Sequence, residues 1–429
     1  MRFLLDFAYL VACILLSPWL VYRLCAPGRR DFALRFGVGL SDSLPSCIWL
    51  HGSSAGEVAV LRPLVATLER DYPGTPLVIS AFTATGLATA RKLYARHRVV
   101  PLPVDLSFVV ARFFRCFNPR LLVVAESEFW PNLIGLAHER GVPAALVNGK
   151  MSAKSFGVHA RTRLVPRVLA KFAVLAMQTE EHAARLRTLG VPSALLHVTG
   201  NMKYDLTEAG DGGVSGRKLR AALRYEQGDV VIIGGSLHDS EDEALLDAYA
   251  AARAAFPAAA LVIVPRYPAD ADTVEQRARA RGFAVTRKSA IDAGAAPPPG
   301  RSGVLVVDTV GELSRLYAVA DLAFVGGSLF FRGANKGGHN LMEPAILGVP
   351  VLFGPYNFSF KETVDDLLAA DAGKLVRDAD ELRAAVVALV VDGDERRALG
   401  QRAKRVIDAG RGATARNYAL LAKLLQVRP

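Results

Sequence analysis

Residues 48–68 read IWLHGSSAGEVAVLRPLVATL. The stretch opens on an apolar run of strand type, passes through small residues from Gly52 to Gly56, and continues with apolar positions spaced for one face of a helix. Strand, small-residue turn and amphipathic helix, in that order, begin a parallel β-α-β unit. A P-loop is excluded, because no Gly-Lys-Ser/Thr follows the turn. Backbone N–H groups of the turn could still approach an anion at the helix start. Glu57 falls in the first helical turn, and spacing alone leaves two readings open. It is a carboxylate favoured by the helix dipole, worth roughly 0.3–1 kcal/mol, or a general base at the mouth of a cleft.

The same alternation continues outward. PLVISAF, RLLVVAESEF, PAALVNG and AVLAMQT are apolar strand-like runs separated by helical patterns such as TGLATARKLYARHR and EEHAARLRTLG. Strands apolar throughout imply a parallel sheet covered on both faces. The polar, glycine-containing stretch GNMKYDLTEAGDGGVSGRK (200–218) breaks the pattern, which restarts with DVVIIGGS, ALVIVPRYP, GVLVVDT, LAFVGGS and PVLFGP. The expected fold is α/β, with two Rossmann-like doubly wound domains facing a cleft. The expected divisions are an N-terminal membrane anchor over 1–24, a first domain over 25–205, a linker over 206–218 and a second domain over 219–429, its last helix packing back on the first.

Residues 3–22, FLLDFAYLVACILLSPWLVY, form an apolar run near the ~20 residues that span a bilayer. Asp6 lies toward its outer end, and Arg23, Arg29, Arg30 and Arg35 follow it against Arg2 alone before it. That asymmetry places the rest of the chain on the cytoplasmic side. Pro18, Trp19 and Tyr22 equally suit a helix lying in the interface. The net charge of +11 is concentrated in residues 1–200, with 23 Lys and Arg against 12 Asp and Glu; the remainder holds 29 of each. Such a basic half suits an anionic membrane surface or an anionic substrate. The four cysteines lack CxxC spacing, and no HExxH accompanies His51, His238 and His339, so neither a disulfide framework nor a metal site is expected.

Ligands of doubly wound sheets bind beyond the carboxyl ends of the strands. The candidate residues fall there: HGSSAGE (51–57), ESEFWPN (126–132), GGSLHDSEDE (234–243), VPRYP (264–268), DTVGEL (308–313) and GGSLFFRGANKGGHNLMEP (326–344). Glu126 ends a strand, and Glu128 points the same way if that strand continues. Arg266 offers a planar fork for phosphate or carboxylate. Asn340 and Glu343 can bond ribose hydroxyls.

HGSSAGEV, ESEFWPNLI, GNMKYD, VPRYP, VGELSRLYAVADLAFVGGSL and GGHNLMEPA, taken in order, resemble the 3-deoxy-D-manno-octulosonic acid (Kdo) transferase family. The resemblance implies a membrane-associated inverting glycosyltransferase of GT-B architecture, at the cytoplasmic face of the inner membrane. It would pass Kdo from CMP-Kdo to the anionic lipid A precursor, with no cofactor beyond the donor and no nucleic-acid partner. Carried over position by position, Glu57 matches the general base, and Glu126 and Lys203 match positions that support the transition state. Pro265, Arg266, Val310, Gly311, Glu312, Asn340, Leu341, Met342 and Glu343 match the CMP-binding segments. Two departures stand out: Tyr267 replaces a frequent His, and the loop before GGHN is longer, bringing Arg332 and Lys336 toward the nucleotide. The competing readings are a GT-B transferase using a UDP- or GDP-sugar and a catalytically silent membrane-bound scaffold.

Overall fold

The computed structural model describes residues 2–15, 17–18, 22, 28–40, 43–161, 164–206, 212–333 and 337–426. The chain divides into two compact units, Met1–Leu206 with Gly410–Pro429, and Thr207–Ala409.

In the first unit seven strands form one sheet: β1 (Cys47–His51), β2 (Leu77–Ala81), β3 (Arg98–Pro101), β4 (Pro119–Ala125), β5 (Ala144–Gly149), β6 (Val174–Met177) and β7 (Leu196–Val198). Their order is β3-β2-β1-β4-β5-β6-β7, with every pair parallel. The order reverses between β1 and β4, where Leu50 pairs with Val123 and His51 with Val124. All five residues of β1 are buried, as a central strand covered on both faces requires. One face buries Trp49 against Phe113, Phe114 and Phe117. The other buries Ile48 and Leu50 with Val58, Leu61 and Leu64 of the chain that follows β1.

The C-terminal helix Ala413–Gln426 joins this second face through Leu421 and Leu425. Asp205 receives the N–H groups of Gly412 at 2.7 Å and Thr414 at 2.6 Å, while Tyr418 donates its hydroxyl to Asp71 at 2.6 Å.

The N-terminal helix Arg2–Leu15 has 14 residues, about 21 Å at ~1.5 Å per residue. Among the described residues no helix is long and apolar enough to cross a membrane. The rest of the expected 3–22 run is only partly within them. Asp6, expected to be tolerated at an outer membrane edge, instead docks the helix. Its carboxylate accepts the N–H of Ser107 at 2.9 Å and the side-chain amide of Asn132 at 3.0 Å. Tyr9 packs on the core beside it, while Phe7, Leu10, Val11, Ile14 and Leu15 remain exposed.

The second unit repeats the plan with β8 (Val230–Leu237), β9 (Ala259–Pro265), β10 (Ala284–Arg287), β11 (Gly303–Val306), β12 (Leu322–Val325), β13 (Val351–Phe353) and β14 (Lys374–Leu375). The order is β10-β11-β9-β8-β12-β13-β14, again all parallel. The order reverses between β8 and β12. Of the stretch 206–218 read as a linker, residues 207–211 lie outside the described residues, and a helix already begins at Gly212.

Candidate active site

At the reversal point of the first sheet, β1 ends in His51 and the chain turns through Gly52 into the helix Ala55–Val60. The turn is tight: a β-carbon at Gly52 would stand 2.9 Å from the carbonyl carbon of Glu57. Ser54 caps the helix, accepting the Glu57 N–H at 3.4 Å. The Glu57 carboxylate reaches back to receive the Ser53 N–H at 2.8 Å and the Ser54 hydroxyl at 3.0 Å. This reciprocal capping box accounts for the helix start. It also fixes the carboxylate in one orientation, half-buried at the sheet edge. Burial raises the Glu57 pKa above the ordinary carboxylate range; the negative charge of Glu126 adds to the rise, and the Ser53 and Ser54 bonds and Lys150 oppose it.

Glu126 follows β4. The strand stops at Ala125, so the condition under which Glu126 and Glu128 would point the same way is not met; Glu126 is in a turn with φ of +62°. A left-handed glutamate is held there against its steric preference. Its N–H bonds the Val147 carbonyl at 3.0 Å, its carbonyl accepts the Lys150 N–H at 3.3 Å, and the residue is 4% exposed. The carboxylate forms an ion pair with Lys150, accepts the Asn148 amide at 3.4 Å, and lies 4.0 Å from the Lys203 ammonium. Asn148 is itself left-handed, at φ +52°, and its side-chain oxygen receives the Met202 N–H at 2.8 Å. That bond ties the turn carrying Lys203 to the end of β5. Glu128 is raised as well, by burial first and then by the charges of Glu57 and Glu126.

The first unit thus gathers Glu57, Glu126 and Lys203, the three residues singled out from the sequence. It adds Glu128, Lys150 and Asn148. Lys150 is the clearest omission; its only signal was a position just after VNG at a strand end. Three carboxylates with two ammonium groups set one carboxylate in an ion pair beside two whose pKa values are raised, an arrangement suited to acid-base work. Beneath them His51 is fully buried, bonds Ser80 through Nδ1, and has its pKa pushed down to about 4 by burial.

In the second unit a cavity of about 380 Å³ is lined by residues including Ser236, Arg266, Gly311, Tyr317, His339, Asn340 and Glu343. That volume suits a small organic ligand. Asn340 organises one wall, accepting the Met342 N–H at 3.1 Å and donating to Glu343 at 3.0 Å. Burial raises the Glu343 pKa. Ser236 adopts φ +55° at the end of β8, and Gly235 has no room for a side chain, since a β-carbon would stand 2.0 Å from the Tyr317 hydroxyl oxygen.

Of the nine residues expected to bind the nucleotide, Arg266, Gly311, Asn340 and Glu343 line this cavity. Pro265 lines a neighbouring one with Asp239, Asp242, Asp270 and Arg277. Val310 is 83% exposed, and Leu341 and Met342 are buried in packing. Glu312 is held by Thr309 and by Lys288 at 3.2 Å. Ser236 and Glu241 fall within the candidate stretch 234–243 but were not singled out from it, and Tyr317 was not named; Glu241 is buried and receives four backbone N–H groups. These are His238 at 2.9 Å, Gly327 at 2.7 Å, and Ser328 and Leu329 both at 2.9 Å. One carboxylate therefore shapes the turns after both β8 and β12. Lys336, expected near the nucleotide, lies outside the described residues. Among the described residues no group of three or more His, Cys, Asp or Glu is placed to hold a metal ion.

A family described as 3-deoxy-D-manno-octulosonic-acid transferase (kdotransferase) matches residues 30–206. The chain is 32% identical over 403 residues to 3-deoxy-D-manno-octulosonic acid transferase of Haemophilus influenzae, covering 93% of this chain and 92% of the relative. The Bordetella pertussis protein of the same name is 34% identical over 422 residues, with coverage of 93% and 92%. Among solved structures, UDP-GlcNAc 2-epimerase from Neisseria meningitidis shares the fold, with a TM-score of 0.56 at 14% identity over 89% of this chain and 100% of that one.

Proposed function

Because the chain belongs to the 3-deoxy-D-manno-octulosonic acid transferase family, we propose that it transfers Kdo from CMP-Kdo to the lipid A precursor, with inversion, in lipopolysaccharide biosynthesis. The observation that carries the mechanism is the Glu57 carboxylate, clamped by Ser53 and Ser54 at the sheet's reversal point beside the Glu126–Lys150 pair. Glu57 takes the proton of the acceptor hydroxyl as its oxygen attacks the Kdo anomeric carbon. The bond from that carbon to the phosphate oxygen breaks, and CMP departs with the electron pair.

Glu126 sits between the Lys150 and Lys203 ammonium groups and holds both in place. Their positive charge serves a reaction whose donor and acceptor are both anionic. Arg266 faces the CMP phosphate, and Asn340 and Glu343 its ribose, supported by the cavity they line. Pro265, Val310, Gly311, Glu312, Leu341 and Met342 contribute the backbone that frames it. The leaving group is a phosphate monoester, so the reaction needs no cofactor beyond the donor.

The docked N-terminal helix with its exposed Phe7, Leu10, Val11, Ile14 and Leu15, together with the basic first half, would hold the enzyme on the cytoplasmic face of the inner membrane. The donor assignment is tested by thermal unfolding. CMP at 100 times its dissociation constant should stabilise the protein by about 2.7 kcal/mol. Stabilisation by UDP-sugars and none by CMP would replace it with a UDP-sugar transferase.

A further inference from the structure

His238 follows β8 and His339 precedes the helix Met342–Ile346. Their rings meet end to end, with planes 10° from parallel, centroids 5.2 Å apart and the two Nε2 atoms 2.9 Å apart. Two imidazole nitrogens at that distance share a single proton, one donating and the other accepting. His339 lines the cavity beside Arg266, and His238 lines the neighbouring cavity beside Pro265. The close approach is built in: a β-carbon on Gly327 would stand 2.8 Å from the His339 ring and 3.4 Å from that of His238. The His238 backbone N–H is anchored on Glu241.

We propose that His238 and His339 form a phosphate-recognition couple, taking up one proton from solvent when the cavity receives a phosphate-bearing nucleotide. The inference rests on the nucleotide reading of that cavity and adds to it two residues and a change of charge. The charged and titratable surroundings explain why the proton arrives with the ligand. Arg266 and Arg332 repel a positive charge on either ring, while Glu241 and Asp270 favour one at His238. Glu241 is committed to its four N–H groups, and Tyr267 meets His238 edge-on with ring centroids 5.9 Å apart. Without a ligand, burial and the two arginines lower the pKa of both rings, and at His339, where the neighbouring His238 adds to the effect, it falls to about 4. A phosphate offsets the arginine charge and restores the imidazolium. The shared proton lets one positive charge spread over both rings.

Isothermal titration of the full-length protein with CMP at pH 6, in two buffers of different ionisation enthalpy, counts the protons exchanged. CMP's own phosphate titrates near this pH, so the quantity read is wild type minus His339→Gln and wild type minus His238→Gln. If His339 rises from about 4 toward the ordinary ~6.5, wild type should take up ~0.7 proton more than either variant. Cytidine, which lacks the phosphate, should show no such difference. Histidine ring resonances of the wild type, followed with and without CMP, give the same answer without a variant that has to fold. CMP binding with equal proton counts and unmoved histidine titrations overturns the couple while leaving the nucleotide site standing. Absence of CMP binding to wild type overturns both.

Discussion

Replacing Glu57 by Gln separates the two roles that its position combines. The carboxylate receives the Ser53 N–H at 2.8 Å and the Ser54 hydroxyl at 3.0 Å. The glutamine carbonyl can keep the first of these bonds. The loss in folding stability should therefore stay near the net value of one hydrogen bond, about 1 kcal/mol, or a few degrees in Tm for a unit of this size. As a general base, however, the side chain is abolished, and a loss of ~10²–10⁴-fold in kcat is expected. The assay is transfer from CMP-Kdo at saturating acceptor, paired with thermal unfolding and CMP binding, both of which should survive.

The pH dependence of Glu57 has a definite sign. The folded pKa is raised, chiefly by burial. The base must be ionised to act, so the acid limb of the wild-type rate should have its midpoint above the ordinary ~4.3 of a glutamate. Stability runs the opposite way: the folded state holds this proton more tightly than the unfolded chain. The Glu57 contribution thus falls as pH rises from the unfolded to the folded pKa, and Gln removes that fall. A Gln variant within tenfold of wild-type kcat, with a lowered Tm, would show that Glu57 is a helix cap and nothing more.

Glu241→Gln should unsettle the turns after β8 and β12 together, since an amide cannot accept all four N–H groups of His238, Gly327, Ser328 and Leu329. Each N–H left unpaired costs ~1–3 kcal/mol; a fall of Tm by several degrees with weakened CMP binding is expected, and an unchanged Tm would contradict it. Gly235→Ala places a methyl 2.0 Å from the Tyr317 hydroxyl oxygen. Calorimetry should show a loss of ~1–3 kcal/mol, with CMP affinity reduced because Tyr317 lines the cavity. Asp6→Ala removes the acceptor shared by Ser107 and Asn132. Hydrogen exchange in the helix Arg2–Leu15 should quicken while β1 keeps its protection, and equal protection in both proteins would show that Asp6 is not the dock.

The sheets were legible because a strand buried on both faces carries its own signature: CIWLH and VVIIGGSL are apolar in runs, and each is followed by a helical period. The strand ends were legible for the same reason, which brought Glu57 and Glu126 among the candidates; their roles, and the choice of Lys203, came from the resemblance of motifs dispersed over some 150 residues. What escaped was convergence across elements. Lys150 reaches Glu126 only because β4 and β5 are neighbours, and the dominance of Glu241 depends on the turn after β12 folding over the start of its helix. Glu126 and Glu128 would share an aim only if the strand continued; it stops at Ala125, and the left-handed φ at Glu126 is not something a period-2 pattern encodes. The long apolar N-terminal run likewise gave no hint that Asp6 would find Ser107 and Asn132, about 100 and 125 residues away.

The most direct test is transfer itself, with purified full-length protein, CMP-Kdo and the tetraacylated lipid A precursor, read by product mass. The lipid should gain the mass of one or more Kdo units, with release of CMP in equal number. An unchanged lipid under these conditions, together with sugar transfer from a UDP- or GDP-sugar to the same acceptor, would contradict the proposed Kdo transfer.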